Sequence, residues 1–388
     1  MATVVQKYGG SSVADVDKLG RVADKVVAAR HAGDSVVVVV SAMGKTTDQL
    51  LALAKQIDPS PPRRELDMLL TTGERVSMAL LAMAIQKRGL EAISFTGSQS
   101  GIITNDRHFD ARILEVRPHR IEDELARGKI VIIAGYQGMS YKREITTLGR
   151  GGSDTTAIAL AAALGADRAE IYSDVDGVYS ADPRVVPEAR HLPELTYEAM
   201  QEMAEVGAKV LNATAVEFAK RSKITIHARS TFEPGRETVV RERTDGAPRS
   251  VVGQKGIVRL HTRGERALGA ASSILAAASV PARDVEARGE GDALEATMTV
   301  ATSLTPDWDA VAARLTSDLG VSVRVEGGLG AVSVVGLDAA SLPPALEVVR
   351  ASGTTASGAA ASGSRVSVLV PEAQVDPAVQ ALHARFVG

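Results

Sequence analysis

Glycine-rich polar loops that carry lysine, arginine and aspartate are the parts of this sequence whose residue types could do chemistry. Lys7 stands directly before the Gly9-Gly10 pair, and the run Arg150-Gly151-Gly152-Ser153-Asp154 precedes an apolar, helix-length segment. Glycine pairs let the backbone approach a ligand closely, and the free N–H groups at a helix start attract anions. Lysine combined with glycine-rich backbone stabilises a transferring phosphoryl group without covalent chemistry. These loops therefore predict an enzyme that handles phosphate.

An acidic stretch follows the second loop and supplies further candidates. Asp174 and Asp176 stand in a turn-rich run, and Asp182 and Arg184 come shortly after it. Carboxylates near a phosphate can orient a lysine or meet the magnesium ion that accompanies ATP. The sequence lacks the P-loop pattern, the strand-linked G-x-G-x-x-G fingerprint, the kinase catalytic-loop pattern and the serine-nucleophile elbow. Its histidines are scattered and it has no cysteine, so no metal site made of protein ligands is predicted.

Alternating strands and helices must position these loops in the first half of the chain. The uninterrupted valine run at residues 36–40 is typical of a strand covered on both faces. Apolar spacing predicts a helix over residues 15–32, and residues 63–88, apolar nearly all round past Thr71, indicate a buried helix. Further strands are predicted at residues 3–8, 92–95, 130–134 and 170–172. This alternation predicts an α/β fold with a mostly parallel sheet sandwiched by helices, whose ligands lie at the carboxyl ends of the strands.

The second half of the chain changes character near residue 248. From residue 256 the predicted elements are shorter, no glycine-rich polar loop recurs, and the order of strands and helices repeats once. This order predicts two βαββαβ-like units of about 60–70 residues each. The predicted domains are residues 1–247, 248–328 and 329–388. Residues 352–364 are all Gly, Ala, Ser or Thr, which predicts a weak strand or a loop.

Composition excludes several classes of function. The 388 residues carry a formal net charge of −3, which gives no electrostatic reason to expect nucleic acid or an anionic membrane as a partner. No apolar run reaches the roughly 18 residues that a membrane span needs, and the amino-terminal residues do not resemble a targeting segment. The absence of cysteine excludes disulfides and a cysteine nucleophile. We therefore expect a protein of the cytoplasm.

Five short motifs occur in the order found in one enzyme family. Lys7-Tyr8-Gly9-Gly10-Ser11-Ser12 resembles the K-[FY]-G-G-[ST]-S signature that opens aspartokinases. Thr72-Gly73-Glu74, the run TLGRGGSDTT at 147–156 and the run YSDVDGVY at 172–179 resemble that family in the same order, as does Ala181-Asp182-Pro183-Arg184. The resemblance covers about residues 3–232. It implies the amino-acid-kinase fold and transfer of phosphate from ATP, with Mg²⁺, to the side-chain carboxylate of L-aspartate, the first step toward lysine, threonine and methionine. The second half more weakly resembles the paired ACT regulatory domains of that family.

The resemblance also implies roles for single residues. Lys7 would lie across the transferred phosphoryl group, Asp154 would orient Lys7, and Lys209 would reach the phosphates from the opposite wall. Arg150 would pair bidentately with the substrate α-carboxylate, and Glu74 would take the α-ammonium group. Further implied substrate contacts are Ser41, Thr47, Gly151, Gly152 and Ser153. The implied ATP contacts are Lys7, Tyr8, Gly9, Gly10, Ser173, Asp174, Tyr179, Asp182 and Arg184, with the N–H groups of Gly9 and Gly10 holding phosphate oxygens.

Three departures from the family pattern concern loops beside these motifs. Where aspartokinases usually read G-A-K-V-L-H-P-R, this chain has Asn212-Ala213-Thr214 in the last three positions. The effector-loop pattern V-P-D-x-P-G is similar in place to the run 261–266, which reads HTRGER and lacks the Pro-Gly turn. A similar loop of the second unit, at residues 337–340, looks shortened. We therefore expect feedback by lysine or threonine to be weak, and the C-terminal half to form a homodimer.

Two other functions stay open at this point. One is a catalytically weak aspartokinase paralogue that acts as the regulatory partner of another kinase subunit, and the Asn212-Ala213-Thr214 change is its best support. The other is a different kinase of the same fold, acting on glutamate, acetylglutamate, carbamate or a nucleoside monophosphate. The TGE and GRGGSDTT motifs, together with the two-unit C-terminal half, favour aspartate.

Overall fold

The computed structural model describes residues 2–388 apart from residues 234, 247 and 306. It divides the chain into two compact units. The first contains the chain through Val178 together with His191–Ala204 and Lys209–Ala247, and the second contains Tyr179–Arg190, Glu205–Ala208 and Pro248–Gly388. This division differs from the predicted continuous domain of residues 1–247, because two short segments fold with the C-terminal half. Residues 1 and 247, at which that predicted domain begins and ends, lie outside the described residues.

In chain order the strands are β1 (Thr3–Tyr8), β2 (Ser35–Val40), β3 (Ala92–Phe95), β4 (Ile102–Thr104), β5 (Ile113–Val116), β6 (Ile130–Ala134), β7 (Gln137–Ser140), β8 (Ile145–Thr147), β9 (Arg168–Ser173), β10 (Val178–Tyr179), β11 (His191–Leu192), β12 (Glu194–Thr196), β13 (Ile226–Ser230), β14 (Glu237–Arg241), β15 (Ser250–Arg263), β16 (Ala282–Arg288), β17 (Glu295–Ala301), β18 (Val323–Val335), β19 (Gly358–Ala361) and β20 (Arg365–Pro371). The helices are α1 (Val16–His31), α2 (Thr46–Ile57), α3 (Arg63–Leu70), α4 (Thr72–Gln86), α5 (His119–Ala126), α6 (Gly152–Ala163), α7 (Tyr197–Glu205), α8 (Ala213–Ser222), α9 (Glu265–Ala277), α10 (Trp308–Leu319), α11 (Leu342–Ala351) and α12 (Val375–Phe386).

The first unit is built on a sheet with the strand order β12-β14-β13-β9-β1-β2-β6-β3. Its pairs are parallel except for the antiparallel β13 and β14. The valines of β2 from Val36 to Val40 are fully buried, as expected for a central strand with helices on both faces. A smaller sheet has the order β5-β4-β7-β8. The predicted α/β architecture is confirmed, and it brings the loops after β1, β2 and β9 to one edge of the sheet.

The helix predicted over residues 63–88 is interrupted at Thr71, so that α3 and α4 are separate helices. By length and composition alone, Arg63–Gln86 could cross a membrane, but half of its apolar window is buried inside the structure. A core helix of a soluble protein has the same properties. The stretch is therefore weak evidence for a membrane span.

The second unit contains one sheet with the strand order β16-β17-β15-β18-β20-β19. The long strands β15 and β18 run through both halves of it. Ser250–Gln254 pairs with Ala331–Val335, whereas the later part of β15 pairs with residues 323–329 and with β17. The predicted division into 248–328 and 329–388 therefore differs from the structure in two ways. Residue 328 lies inside β18, so the predicted boundary would cut a strand. Residues 250–254 belong to the first predicted unit but pair with the strand that begins the second one. The strands β15 and β18 are therefore shared by the two βαββαβ-like units.

Candidate functional site

An ion pair between Lys7 and Asp154 joins the central sheet to a helix start. Lys7 lies near the end of β1, and Asp154 lies in the first turn of α6, where the helix dipole favours a negative charge. The Lys7 Nζ to Asp154 Oδ1 distance is 2.7 Å, and the two side chains are 12% and 11% exposed. A Cβ built on Gly9 would lie 3.4 Å from Nζ, so the ammonium group is held beside the glycine loop. The structure thus brings together two residues that are far apart in sequence.

Gly9 and Tyr8, in the same loop, differ from their implied roles. The N–H of Gly9 donates to the carbonyl of Tyr172 at 3.1 Å, so it is already engaged and is not directed at a ligand. Tyr8 is fully buried, and its ring stacks on that of Tyr172 with centroids 4.8 Å apart. A nucleotide contact through the Tyr8 side chain is therefore excluded in this conformation. Gly10 begins a short 3-10 helix that ends at Val13.

Glu74 is a buried carboxylate at the start of α4. Glu74 is only 2% exposed, and its Oε1 accepts a hydrogen bond from the N–H of Ala42 at 3.1 Å. Oε2 is buried without a hydrogen-bond partner among the described residues. Burial raises the pKa of Glu74 from its usual 4.5 to about 7. A buried oxygen in this situation would be satisfied by a bound cation or donor.

Ser41 and Thr47 lie on either side of Ala42, after β2 and at the start of α2. Ser41 directly follows β2, and its N–H donates to the carbonyl of Tyr8 at 3.1 Å. Thr47 lies in the first turn of α2 and is partly exposed. Both implied substrate residues therefore fall on segments that begin at the carboxyl end of β2.

The loop that carries Arg150 connects β8 to α6. Gly151 precedes α6 with φ +72°, and Gly152, Ser153 and Asp154 in the first turn of the helix are buried. The Arg150 side chain is exposed. The loop therefore presents a guanidinium group to solvent next to a helix start, in keeping with a role in anion binding.

Sequence reasoning missed two side-chain contacts that hold this loop. Asp67 of α3 is fully buried and accepts a hydrogen bond from Thr147 Oγ1 at 2.6 Å, at the last residue of β8. The Asp67 carboxylate also lies 2.7 Å from His108 Nδ1 and accepts a hydrogen bond from the N–H of Phe109 at 3.1 Å. Burial raises the pKa of Asp67. On the other side, Asn212 Nδ2 donates to the carbonyl of Arg150 at 3.1 Å. A lone aspartate between the apolar neighbours Leu66 and Met68 was the available signal for the first contact.

The implied nucleotide residues divide between the two units. Ser173 and Asp174 belong to the first unit, where Ser173 Oγ accepts from the N–H of Val175 at 3.3 Å and Asp174 is exposed. Tyr179, Asp182 and Arg184 belong to the second unit. There Arg184 Nε and Nη2 donate to the two carboxylate oxygens of Asp182 at 2.9 and 2.6 Å, a bidentate pair on the surface.

Lys209 lies in the first unit between α7 and α8, with its side chain exposed. No group of three or more metal-ligating side chains occurs in the described part of the chain. A magnesium ion fits these residues only as a companion of ATP, with phosphate oxygens and water as most of its ligands.

Comparison with known proteins identifies the family of this chain. The family model described as the amino acid kinase family matches residues 2–230. The chain is 44% identical to an aspartokinase of Mycolicibacterium smegmatis, over all of this chain and 96% of that protein. It is 42% identical to an aspartokinase of Bacillus sp. (strain MGA3), over all of this chain and 97% of that protein.

A solved structure shows the same overall likeness. Aspartokinase III of E. coli, in complex with aspartate and ADP in its R-state, matches 99% of this chain and 100% of its own with a TM-score of 0.86 at 27% identity. Its T-state, in complex with lysine and aspartate, matches with a TM-score of 0.75. A fold and loop set of this kind define a kinase of the amino acid kinase family. Within that family, the chain belongs to the aspartokinases.

Proposed function

We propose that this aspartokinase transfers the γ-phosphoryl group of ATP to the side-chain carboxylate of L-aspartate, with the residue roles set out here. The Lys7–Asp154 ion pair carries this proposal, because it holds a nearly buried ammonium group beside a glycine loop and a helix start. Positive charge in a partly water-excluded position is what stabilises a transferring phosphoryl group. Aspartokinase III of E. coli, which has the same fold, was solved in complex with aspartate and ADP.

The reaction needs positioning and charge stabilisation rather than a general base. The aspartate carboxylate is already ionised near pH 7, so one of its oxygens attacks the γ-phosphorus directly. The bond between that phosphorus and the β–γ bridging oxygen breaks, and ADP leaves with the electron pair. Lys7 stabilises the charge on the transferred group, and Asp154 keeps Nζ in place.

Recognition of aspartate falls to groups of opposite charge. The Arg150 guanidinium pairs bidentately with the α-carboxylate, and Thr47 and Ser153 add hydroxyl contacts. Glu74 takes the α-ammonium group, whose donors would satisfy the buried Oε2. Ser41, after β2, and Gly151 and Gly152, after Arg150, are the remaining residues proposed to contact aspartate.

The nucleotide side draws on the residues that the family resemblance assigns to it. These are Ser173, Asp174, Tyr179, Asp182, Arg184 and Lys209, with Gly10 at the phosphates. Mg²⁺ enters with ATP and neutralises charge on its phosphates when bound. Location in the cytoplasm, where ATP is available, remains a prediction.

The direct test is ATP turnover with the acyl phosphate trapped by hydroxylamine. We expect a hydroxamate and ADP in equal amounts with L-aspartate, and neither with L-glutamate or acetylglutamate. Turnover with another acceptor but not with aspartate would overturn the substrate assignment. The absence of turnover with every acceptor would instead favour the regulatory-partner alternative, which the Asn212-Ala213-Thr214 departure first suggested.

Feedback by lysine or threonine is expected to be weak. The turn after β15 has Gly264 at φ +89°, and its N–H already donates to the carbonyl of Leu294 at 2.7 Å. Glu265 Oε1 accepts from the N–H of Gly291 at 3.0 Å, so its carboxylate is engaged as well. An effector acts only through differential affinity, and this turn offers it few unused groups. Strong inhibition by millimolar lysine, threonine or both would contradict this expectation.

A homodimer through the C-terminal half completes the proposal. β16 and β19 are the edge strands of the second unit's sheet, and an exposed edge is a ready surface for pairing or covering. Light scattering should give twice the chain mass of 40.5 kDa. A monomer at micromolar concentration would exclude this assembly.

A further inference from the structure

Asn212 uses both ends of its side-chain amide. Its Oδ1 accepts hydrogen bonds from the N–H groups of Thr214 at 3.0 Å and Ala215 at 3.2 Å, so it caps the start of α8. Its Nδ2 donates to the carbonyl of Arg150 at 3.1 Å. One planar group therefore ties the first turn of α8 to the main chain of the loop before α6.

The same amide packs against Gly151. A Cβ built at Gly151 would lie 2.2 Å from Asn212 Nδ2 and 2.4 Å from Cγ, both far inside a van der Waals contact. Gly151 also has φ +72°, which L side chains rarely adopt. Glycine is thus required twice over at this position, and the close approach of Asn212 is one of the reasons.

The Arg150 loop is held on two sides. Thr147, at the β8 end, is bonded to the buried carboxylate of Asp67. Arg150, at the α6 end, is bonded to Asn212. Between these two anchors the N–H of Leu148 donates to the carbonyl of Tyr136 at 2.9 Å, and the N–H of Gly152 donates to the carbonyl of Gly149 at 3.1 Å.

We propose that Asn212 is a positioning residue that fixes the direction in which Arg150 presents its guanidinium group. This inference rests on the proposed role of Arg150 in binding the substrate α-carboxylate. A bidentate pair needs both N–H groups aligned with both oxygens, so the main chain at the base of the side chain must be fixed. Asn212 acts on that main chain without touching the substrate, and its effect therefore falls on aspartate and not on ATP.

The choice of asparagine suggests the discriminating variant. Asparagine offers an acceptor and a donor in one side chain, whereas aspartate offers acceptors only. Asn212→Asp keeps the helix cap, because aspartate is as good an N-cap residue as asparagine. It loses the bond to the Arg150 carbonyl and sets two acceptors against each other. Asn212→Ala loses the cap and the bond together.

The experiment compares both variants with the wild-type enzyme by steady-state kinetics and thermal unfolding. For Asn212→Asp we expect KM for aspartate to rise about three- to tenfold, the range of one lost hydrogen bond. KM for ATP should stay within about twofold, and Tm should fall only slightly because the helix cap remains. Asn212→Ala should show the same rise in KM together with a lower Tm.

A second helix cap serves as the matched control. Asp15 caps α1 by accepting from the N–H of Lys18 at 2.8 Å, and among the described residues no hydrogen bond joins it to the Arg150 loop. Asp15→Ala should lower Tm and leave KM for aspartate unchanged. An unchanged KM for aspartate in Asn212→Asp, or equal rises in both KM values, would overturn the inference. If the wild-type enzyme makes no aspartyl hydroxamate, the proposed function fails instead, so the two failures are distinguishable.

Discussion

Two polar segments that are close together in sequence pack in different units of the structure. The loop from Thr147 to Asp154, assigned to aspartate, belongs to the first unit and is held there by Asp67 and Asn212. The segment Tyr179–Arg190, whose Asp182 and Arg184 are assigned to the nucleotide, belongs to the second unit. Buried Ala181 and Val186 place it in a hydrophobic cluster with residues of β18, β20, α11 and α12.

Polar contacts fix the second segment as firmly as the first. The carbonyl of Ser180 accepts from the N–H of Val251 at 2.7 Å, and its Oγ lies 2.9 Å from His383 Nε2. Gln380 Nε2 donates to the carbonyl of Val185 at 2.9 Å. Loss of packing in the C-terminal sheet should therefore change the response to ATP, and loss of the α3 or α8 contacts should change the response to aspartate.

Lys7 should not follow this division between an aspartate segment and an ATP segment. The phosphoryl group that it is proposed to contact leaves ATP and joins aspartate, so it belongs to both substrates in turn. Lys7→Ala removes the main electrostatic stabiliser and should lower kcat by at least about a hundredfold. Both KM values should change far less than kcat. Single-turnover and steady-state kinetics check this. A cooperative unfolding transition of the nucleotide-free protein verifies folding, and its midpoint should be lower because the loss of Lys7 leaves the Asp154 carboxylate without its partner. Near-normal turnover would show that another group stabilises the transition state.

Replacement of Glu74 should change the free energy of unfolding as well as the binding of aspartate. The pKa of Glu74 is about 7 in the folded protein and near 4.5 when unfolded, so the folded state holds the proton more tightly. The contribution of Glu74 to the free energy of unfolding is therefore fully present below pH 4.5 and is lost as the pH rises through 7. Glu74→Gln should thus be more stable than wild type at pH 8, by up to about 3 kcal/mol. The gap should close toward pH 5.

Urea titrations at pH 5, 6, 7 and 8 test this pH dependence. The exposed Glu65→Gln, on the neighbouring helix α3, is the matched control for the loss of one carboxylate, and the gain of Glu74→Gln at pH 8 should exceed any change it causes. A gap between wild type and Glu74→Gln that stayed constant over this range would mean that Glu74 does not titrate there. Added aspartate should stabilise wild type more than Glu74→Gln, since its ammonium group pairs with the carboxylate.

Arg150→Lys sharpens the comparison on the aspartate side. Lysine keeps the positive charge but cannot form the two parallel hydrogen bonds of a guanidinium group. KM for aspartate should rise about tenfold, while KM for ATP stays within about twofold. Arg143→Lys, in an exposed turn outside the Arg150 loop, is the control and should leave both values unchanged. Equal rises in both KM values for Arg150→Lys would place Arg150 away from the substrate α-carboxylate.

Much of the first unit could be predicted from sequence because its signals are local. The bounds of β1, β2 and α1 follow from apolar periodicity within a residue or two. The implied contact of Tyr8 with ATP could have been rejected in the same way. Successive side chains of a strand point to opposite faces, so a Lys7 that faces the ligand leaves Tyr8 in the core.

Other features could not be predicted because they depend on which element becomes the neighbour. The pairing of residues 250–254 with the end of β18 involves strands that sequence identifies but cannot match. The packing of residues 179–190 with the C-terminal unit leaves no periodic pattern. In the sequence Asn212 stands out only as a departure from a family motif, and its bond to a main-chain carbonyl has no sequence signature.

The smallest expected effect is also the most direct test of the comparison. Ser180 Oγ accepts from the N–H of Arg190 at 2.9 Å, so its own hydrogen is available for His383 Nε2. Burial lowers the pKa of His383, which favours the neutral ring that accepts this hydrogen. Ser180→Ala removes both bonds and loosens the segment that carries Asp182 and Arg184. KM for ATP should rise about two- to fivefold, with KM for aspartate unchanged.

Ser333→Ala separates this effect from a general loss of stability. Ser333 is another buried serine of the same unit, bonded to Ser367 Oγ at 2.7 Å, and it lies in β18 outside the segment Tyr179–Arg190. Its loss should lower Tm about as much as Ser180→Ala and leave both KM values unchanged. A rise in KM for ATP in both variants would mean that the whole second unit acts on the nucleotide. A rise in KM for aspartate in Ser180→Ala would show that the two segments are not independent, because the C-terminal sheet would then influence the Arg150 loop as well.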